Sequence, residues 1–487
     1  MQSSNLRYEK ILNRINNKSM DVSERKLSFK SGTISILFIK QITDRAALSD
    51  LVVKPLMQHS TDTQIKAADA IDRIVYVDNC MLETDDTKIE SCLLDGYTIL
   101  LFSSDAAYVV LDIKKVEKRA IPEPETMYTI RGPKDAFIED LDTNLSLVRS
   151  RLRNESLRVD QMEVGQRTKT PIAVLYFEDV ANNTCVNEIK KRIGDIDIDG
   201  LSSSGELQTF LLNRKINLFP QMGITERADM TCGALLEGKV VVIMDGSCWA
   251  LIAPKVFSEY LWASDDFYLN KFFGTFLRIL RVIALNLSFI VSSLYVAVIS
   301  FHQDVLPSSY VISIAQSRSQ VPFNPLIEVI LIELIAELIR ESLIRVPTKI
   351  GTAIGIVGAI IIGQAAVAAG VFSPLLLIVV SLSLISSFVP ADYTIIDPFR
   401  VLKFFLIIAT GTFGFLGFTL VILIILANLV SLNTFGVPYM APATPFNFKD
   451  FIKSVVYSKR MAPKRPAYLR TKDKFRAKPN IKNKSNR

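Results

Sequence analysis

The chain has 487 residues and is 49% hydrophobic, too long for one compact core, so two or three folded units are expected. Its formal charge of +7 hides an asymmetry: residues 453–487 hold 13 Lys/Arg and one acid, Asp473, a local +12 that leaves −5 for everything before them. Two histidines, five cysteines without CxxC spacing and no GxxxxGK[ST] or GxGxxG loop argue against a His-based triad, a multi-histidine metal centre, a disulfide framework and a phosphate cradle. No enzyme and no cofactor is expected.

The start, Met1-Gln2-Ser3-Ser4, shows no basic-then-apolar leader, so insertion into a membrane is expected to begin at the first apolar span. Residues 34–39 (ISILFI) read as a buried strand passing into a helix, and residues 172–177 (IAVLYF) do the same. Leu93-Leu94-Asp95-Gly96 leads into a strand, a turn and a strand, as does Leu235-Leu236-Glu237-Gly238. The strand pair is offset by 138 residues and the hairpin pair by 142, so the first half reads as a duplicated α/β unit. The expected subdomains are 1–130 and 131–265. The stretch between them, Ile121-Pro122-Glu123-Pro124 and Arg131-Gly132-Pro133-Lys134, is a linker or functional loop because proline fixes φ and extends the residue before it. A helix is expected over 143–153, with Arg149, Arg151 and Arg153 largely solvated.

Asp195, Asp197, Asp199, Gly200 and Glu206 match the letters of a calcium loop, D-x-D-x-D-G with Glu at the twelfth position. Ile196 and Ile198 stand where such loops are polar, and Ser202 where they are apolar. The alternation reads better as a half-buried strand ending in a glycine turn. These four acids are the one metal candidate, and no metal is expected.

Residues 266–440 read as an all-α polytopic transmembrane domain. Residues 282–301 are 20 without charge, enough to cross a hydrocarbon core of about 30 Å. Lys271, Arg278 and Arg281 precede them and Asp304 follows, which places the head in the cytoplasm. Residues 351–371 form a second span, with Gly351, Gly355, Ala359 and Gly363 on one face; such a face serves helix packing within the chain, or a subunit or pore-lining contact. Gln364 adds a polar group there. A third span is expected at 375–389 and a fourth at 404–432, too long for one straight crossing and expected to tilt, extend, or bend near Gly411, Gly414 and Gly417.

Between the first two spans, an apolar stretch at 325–344 carries Glu328, Glu333, Glu337, Arg340 and Glu341. At about 100° per residue, the last four fall within an arc of about 100°, with Glu328 on the far side. Carboxylates at bilayer depth must pair, protonate or face water. The leading reading is a stripe facing a water-filled cavity or subunit interface; a buried ion network and a surface amphipathic helix are the alternatives. With head and tail both cytoplasmic the crossings must be even. Four spans are favoured, leaving this segment re-entrant or interfacial; in the alternative it crosses and the long last segment makes two short passes. The basic segment 441–487 reads as a cytoplasmic tail touching anionic lipid, not nucleic acid.

Several motifs resemble the A subunit of GerA-type spore germination receptors. They include Arg131-Gly132-Pro133-Lys134, Ile196-Asp197-Ile198-Asp199-Gly200, Phe219-Pro220-Gln221 with Thr225-Glu226-Arg227, Ile362-Gly363-Gln364, Ser386-Ser387-Phe388-Val389-Pro390 and Phe435-Gly436-Val437-Pro438-Tyr439. They occur in the family's order over nearly the whole chain; Ser247-Cys248-Trp249 departs where the family often has a Thr-Pro-Phe-like turn. The resemblance implies a subunit in the spore inner membrane, a polytopic B partner and a lipoprotein C partner. It further implies a homo-oligomer, a pentamer among its candidate states, around an ion path. The expected function is a nutrient-gated cation channel subunit; a solute or ion permease and a structural scaffold for the B subunit are the alternatives.

Overall fold

A computed structural model describes residues 7–9, 11–12, 22–29, 32–59, 65–114, 124, 127, 129, 132–212, 217–345, 363–456 and 464–476. The chain divides into two units: one comprises Met1–Arg214, Met222–Pro254 and Pro463–Arg487, the other Lys215–Gln221 and Lys255–Ala462.

The first unit contains two five-stranded sheets in which every strand pairs antiparallel. The first sheet has β1 (Val22–Phe29), β2 (Gly32–Ile39), β3 (Cys80–Glu83), β4 (Thr98–Phe102) and β5 (Tyr108–Leu111), with helix α1 (Ile89–Leu94) before β4. In the second, α2 (Leu141–Arg151) precedes β6 (Leu157–Val164) and β7 (Thr170–Phe177). Helices α3 (Asn183–Gly194) and α4 (Ser204–Leu211) follow, then β8 (Gly223–Thr225), α5 (Ala228–Glu237), β9 (Val240–Met244) and β10 (Ala250–Ala253). The sheet orders are β1-β2-β4-β5-β3 and β6-β7-β9-β10-β8, the same topology twice. From β2 to β7 the starts differ by 138 residues, and from β4 to β9 by 142.

The central strands are covered on both faces, so they read as continuous apolar runs rather than alternations. In β2, Ile34, Ile36 and Phe38 join one core and Leu37 and Ile39 another. In the second sheet, Leu141, Leu145 and Val148 of α2 pack with Leu175, Phe177, Val241 and Ile243. Helix α2 starts where Asp140 accepts the Thr143 N–H at 2.8 Å. Helix α5 stops at Gly238, whose φ of +93° suits a left-handed cap that needs no Cβ.

Three readings of this unit need correction. Arg149 is buried, not solvated; its guanidinium donates to the Leu157 carbonyl at 3.0 Å. Arg151 and Arg153 are exposed, as expected, and pair at the surface with Asp135 and Asp95. Residues 196–199 form no ladder strand but a loop, with Gln166 and Arg167 amides donating to the Ile198 and Asp199 carbonyls. Finally, residues 464–476 are not a free tail: they lie on the second sheet's subdomain. Arg465 Nε donates to the Leu236 carbonyl at 3.0 Å, Lys472 N to the Val180 carbonyl at 3.0 Å, and Arg476 pairs with Glu237 at 3.1 Å. Leu469 and Thr471 are buried. A Cβ on Gly238 would meet Thr471 Cγ2 at 2.5 Å, so the glycine leaves the notch that this strap fills.

The second unit is helical: α6 (Lys271–Ser300), α7 (Ser308–Arg318), α8 (Pro325–Arg345), α9 (Pro374–Ser387) and α10 (Ile396–Ser431). A short hairpin of β11 (Asn433–Thr434) and β12 (Val437–Pro438) leads to α11 (Phe448–Val455). By length and composition, two of the described helical segments could cross a membrane, Lys271–Ser300 and Tyr393–Ser431. The second is folded in two. Gly414 leaves the helical region at φ 61°, ψ −143°, and a Cβ on Gly417 would lie 2.0 Å from the Ala409 carbonyl oxygen. Phe399 shares a core with Ile425 and Leu429, from which a straight helix at about 1.5 Å per residue would hold it about 39 and 45 Å away. Of the expectations for 404–432, the bend near Gly411, Gly414 and Gly417 is the one found, at Gly414, and it folds the segment into two antiparallel arms.

Helix α8 runs antiparallel to the first arm: Leu326 meets Gly411, Glu333 meets Lys403 and Glu337 meets Arg400. It is packed within the helical unit rather than lying apart from it.

Candidate functional site

Helix α8 carries acids that an apolar helix tolerates only when each is neutralised. The structure shows the partners of Glu328, Glu333 and Glu337. Glu333 and Lys403 are almost wholly buried, at 2% and 6% side-chain exposure, with Lys403 Nζ 2.6 Å from Glu333 Oε2. Ser292 of α6 donates to the other carboxylate oxygen at 2.5 Å. Just over one turn on, Glu337 accepts from Arg340 Nη1 at 2.9 Å and Arg400 Nε at 3.0 Å. Arg340 also donates to Ser387 Oγ at 2.8 Å, and Arg400 to Asp397 at 3.0 Å. On the far side of α8, fully buried Glu328 accepts the Ser373 N–H at 2.7 Å and pairs with Arg318 at 3.1 Å. Arg318 in turn donates to Tyr295 Oη at 3.1 Å.

Among the described residues the ion pairs named here match four acids (Glu328, Glu333, Glu337, Asp397) with four bases (Arg318, Arg340, Arg400, Lys403), so their formal charges balance. The geometry is that of the buried ion network, not of a stripe open to water. A carboxylate clasped by a lysine at 2.6 Å presents little negative field to its surroundings.

The remaining candidates disperse. Glu341 is exposed on α8, and Gln364 is exposed in a short helix at 363–368. A Cβ on Gly363 would meet nothing within 4 Å. Gly351, Gly355 and Ala359 lie outside the described residues. The calcium letters do not assemble. Asp195 caps the end of α3, Asp197 accepts from Gln166 at 2.7 Å, and Glu206 turns back to the Ser202 amide at 3.1 Å in the first turn of α4. No group of three or more metal-ligating side chains occurs among the described residues.

Sequence reading missed Lys403, Arg400, Arg318 and Ser292. Arg400 and Lys403 stand three apart immediately before an uncharged run; that spacing puts two cations on one helix face and was the available signal. A second cluster was read only as a positive flank. Arg278 and Arg281 are buried on fully buried Asp266, with Arg281 bidentate at 2.7 and 2.9 Å. In the first unit, the motif Thr225-Glu226-Arg227 clamps the linker. Glu226 accepts the Met127 N–H at 2.8 Å, and fully buried Arg227 donates to the Met127 carbonyl at 3.2 Å while forking onto Asp229.

Residues 9–468 match the family model described as Bacillus/Clostridium GerA spore germination protein. The chain belongs to the GerA family. Spore germination protein KA of Bacillus subtilis is 34% identical over 450 residues, covering 91% of this GerA-family chain and 82% of the relative. Spore germination protein GerLA of Bacillus cereus is 33% identical over 441 residues, 90% of each chain. A Bacillus subtilis chain named uncharacterized membrane protein YfkQ is 32% identical over 436 residues, 89% of this chain and 85% of that one. Among solved structures, the N-terminal domain of the A subunit of the Bacillus megaterium spore germinant receptor GerK3 is 28% identical. It covers 50% of this chain and 94% of that domain, at a TM-score of 0.38.

Proposed function

We propose that this GerA-family chain is the A subunit of a nutrient receptor that triggers spore germination. Its helical unit sits in the spore membrane, with the α/β head and C-terminal strap in the cytoplasm. It works with a polytopic B subunit and a lipoprotein C subunit, and several copies surround a cation path. The observation that carries this reading is the family match over residues 9–468 together with relatives named as spore germination proteins over most of their length. The neutral seam on α8 supports a gated rather than an open path. Nutrient binding elsewhere favours a packing in which the Glu333–Lys403 and Glu337–Arg400 pairs part, and the freed carboxylates favour cations.

The test is spores lacking this chain, exposed to panels of amino acids, sugars and nucleosides while cation release and loss of refractility are followed. Loss of the response to at least one nutrient, restored by the wild-type chain, is the expected result. An unchanged response to every nutrient would remove the chain from germinant sensing.

A further inference from the structure

In a water-soluble domain a surface helix turns its apolar stripe inward and its charges outward. Two helices of the second unit do the reverse. Over its first three turns α6 buries Gly274, Arg278 and Arg281, the arginines on Asp266, while Phe272 is 84% exposed and Phe276 and Ile279 face outward with it. Helix α11 turns its polar side inward. Asp450 is buried, and the Ser454 carbonyl accepts from Trp262 Nε1 at 3.2 Å and Arg278 Nη1 at 3.4 Å. Its apolar side, Phe448, Phe451 and Ile452, faces out, with Phe448 at 64% exposure. The same arginine thus ties together the inner faces of both inverted helices.

Both outward faces need an apolar cover, and the charges around them say which. Lys271 and Lys449 are exposed, while half-buried Lys453 pairs with Asp450 at 3.2 Å, so the apolar faces carry a cationic fringe led by Lys271 and Lys449. In a symmetric contact between two copies like charges would meet, whereas anionic headgroups complement them. Lengths agree. The 30 residues of α6 span about 45 Å, the thickness of a bilayer including its headgroup layers, which puts Lys271 and Phe272 at headgroup level rather than in bulk water. Aromatic side chains favour that level.

We propose that the first three turns of α6 and the outer face of α11 form an aromatic collar seated at the headgroup–acyl boundary of a bilayer that carries anionic lipid. The lipid contact expected for the whole basic tail is then made by α11, while residues 464–476 are engaged on the α/β head. This rests on the helical unit being membrane-embedded.

The test uses the full-length chain in nanodiscs of phosphatidylcholine with a minority of phosphatidylglycerol. The photoreactive benzoylphenylalanine replaces Phe272, Phe448, outward-facing Phe405 of α10 or buried Phe289, and adducts are read by mass. Lipid adducts at 272, 448 and 405 but not 289 are expected. Lys271→Glu, Lys449→Glu and Lys453→Glu together should lower the phosphatidylglycerol share at 272 and 448 by about threefold and leave 405 unchanged. Lipid adducts at 405 with protein adducts or none at 272 and 448 would overturn the collar. An unchanged phosphatidylglycerol share would overturn its anionic preference. Absence of lipid adducts at 405 as well would instead overturn the membrane reading itself.

Discussion

Lys403 and Glu333 each make sense only in the presence of the other. A buried charge stripped of its partner costs about 3–5 kcal/mol, although a well-matched apolar or neutral replacement of both is often tolerated. Lys403→Met should therefore lower the thermal midpoint and yield of the detergent-solubilised chain markedly, and Glu333→Gln with Lys403→Met should recover most of the loss. A double variant as damaged as the single would show that the two act separately. In the head, burial pushes the Cys185 thiol up to about 12, so its thiolate is scarce at neutral pH. Iodoacetamide at pH 7.5 should leave Cys185 unmodified in the native chain and label it after denaturation, as peptide mass mapping would reveal. At this scale the sequence disclosed what helical spacing controls: the shared face of Glu333, Glu337 and Arg340, and the three-residue reach from Arg340 to Glu337. It did not disclose Arg400 and Lys403 as partners, since they lie 63 and 70 residues further on and only packing of the first arm of α10 on α8 brings them back.

Elements were legible where local chemistry decides and obscure where the chain turns on itself. The paired Leu-Leu-acid-Gly signatures located two helix ends before two hairpins. The apolar run at 404–432 announced a helix with a glycine-rich weak point but not which glycine, because Gly411, Gly414 and Gly417 are equivalent until neighbours are placed. In the structure Gly414 alone takes a positive φ, and a Cβ there would also press Phe301 at 3.2 Å. Gly414→Ala should cost about 1–3 kcal/mol, read as a lower denaturation midpoint, whereas a neutral outcome would mean that the arms do not fold back at this residue. The strap was illegible because its basic residues look like any lipid-seeking tail until Arg465 is seen reaching Leu236, Asp473 and Phe475. Arg465→Ala should speed tryptic cleavage after Lys472 and Lys474 by about tenfold, as expected for a local opening made easier by roughly 1.4 kcal/mol. Acid should act in the same direction. The Phe475 amide and Arg465 hold the Asp473 carboxyl below its ordinary value, so its contribution is complete above the unfolded pKa, about 4, and disappears as pH falls through the depressed folded value.

For the molecule as a whole, the distribution of charge along the sequence divided a polar half from an apolar one, and the structure draws the division at Pro254 and Lys255. What composition does not reveal is that the chain returns. The helical unit leaves the second sheet's subdomain after β10, and the strap beyond it docks on the turn between α5 and β9 of such a subdomain. The consequence hinges on whose strap is bound. Lys472 N donates to the Val180 carbonyl at 3.0 Å, and Thr471 Cγ2 and Val180 Cγ1 both lie beside the position of a Cβ on Gly238, at 2.5 and 3.0 Å, which makes 180 and 471 the pair to replace by cysteine. Val180→Cys with Thr471→Cys should give, on oxidation in membranes, a chain that stays monomeric on a non-reducing gel and whose 180 and 471 peptides are linked by mass. Spores carrying it should respond normally to nutrient if the strap stays docked throughout signalling and should stall under oxidation, recovering on reduction, if release is part of the signal. A disulfide-linked dimer would mean that straps are exchanged between copies, and absence of any link would overturn the docking of the strap beside Val180.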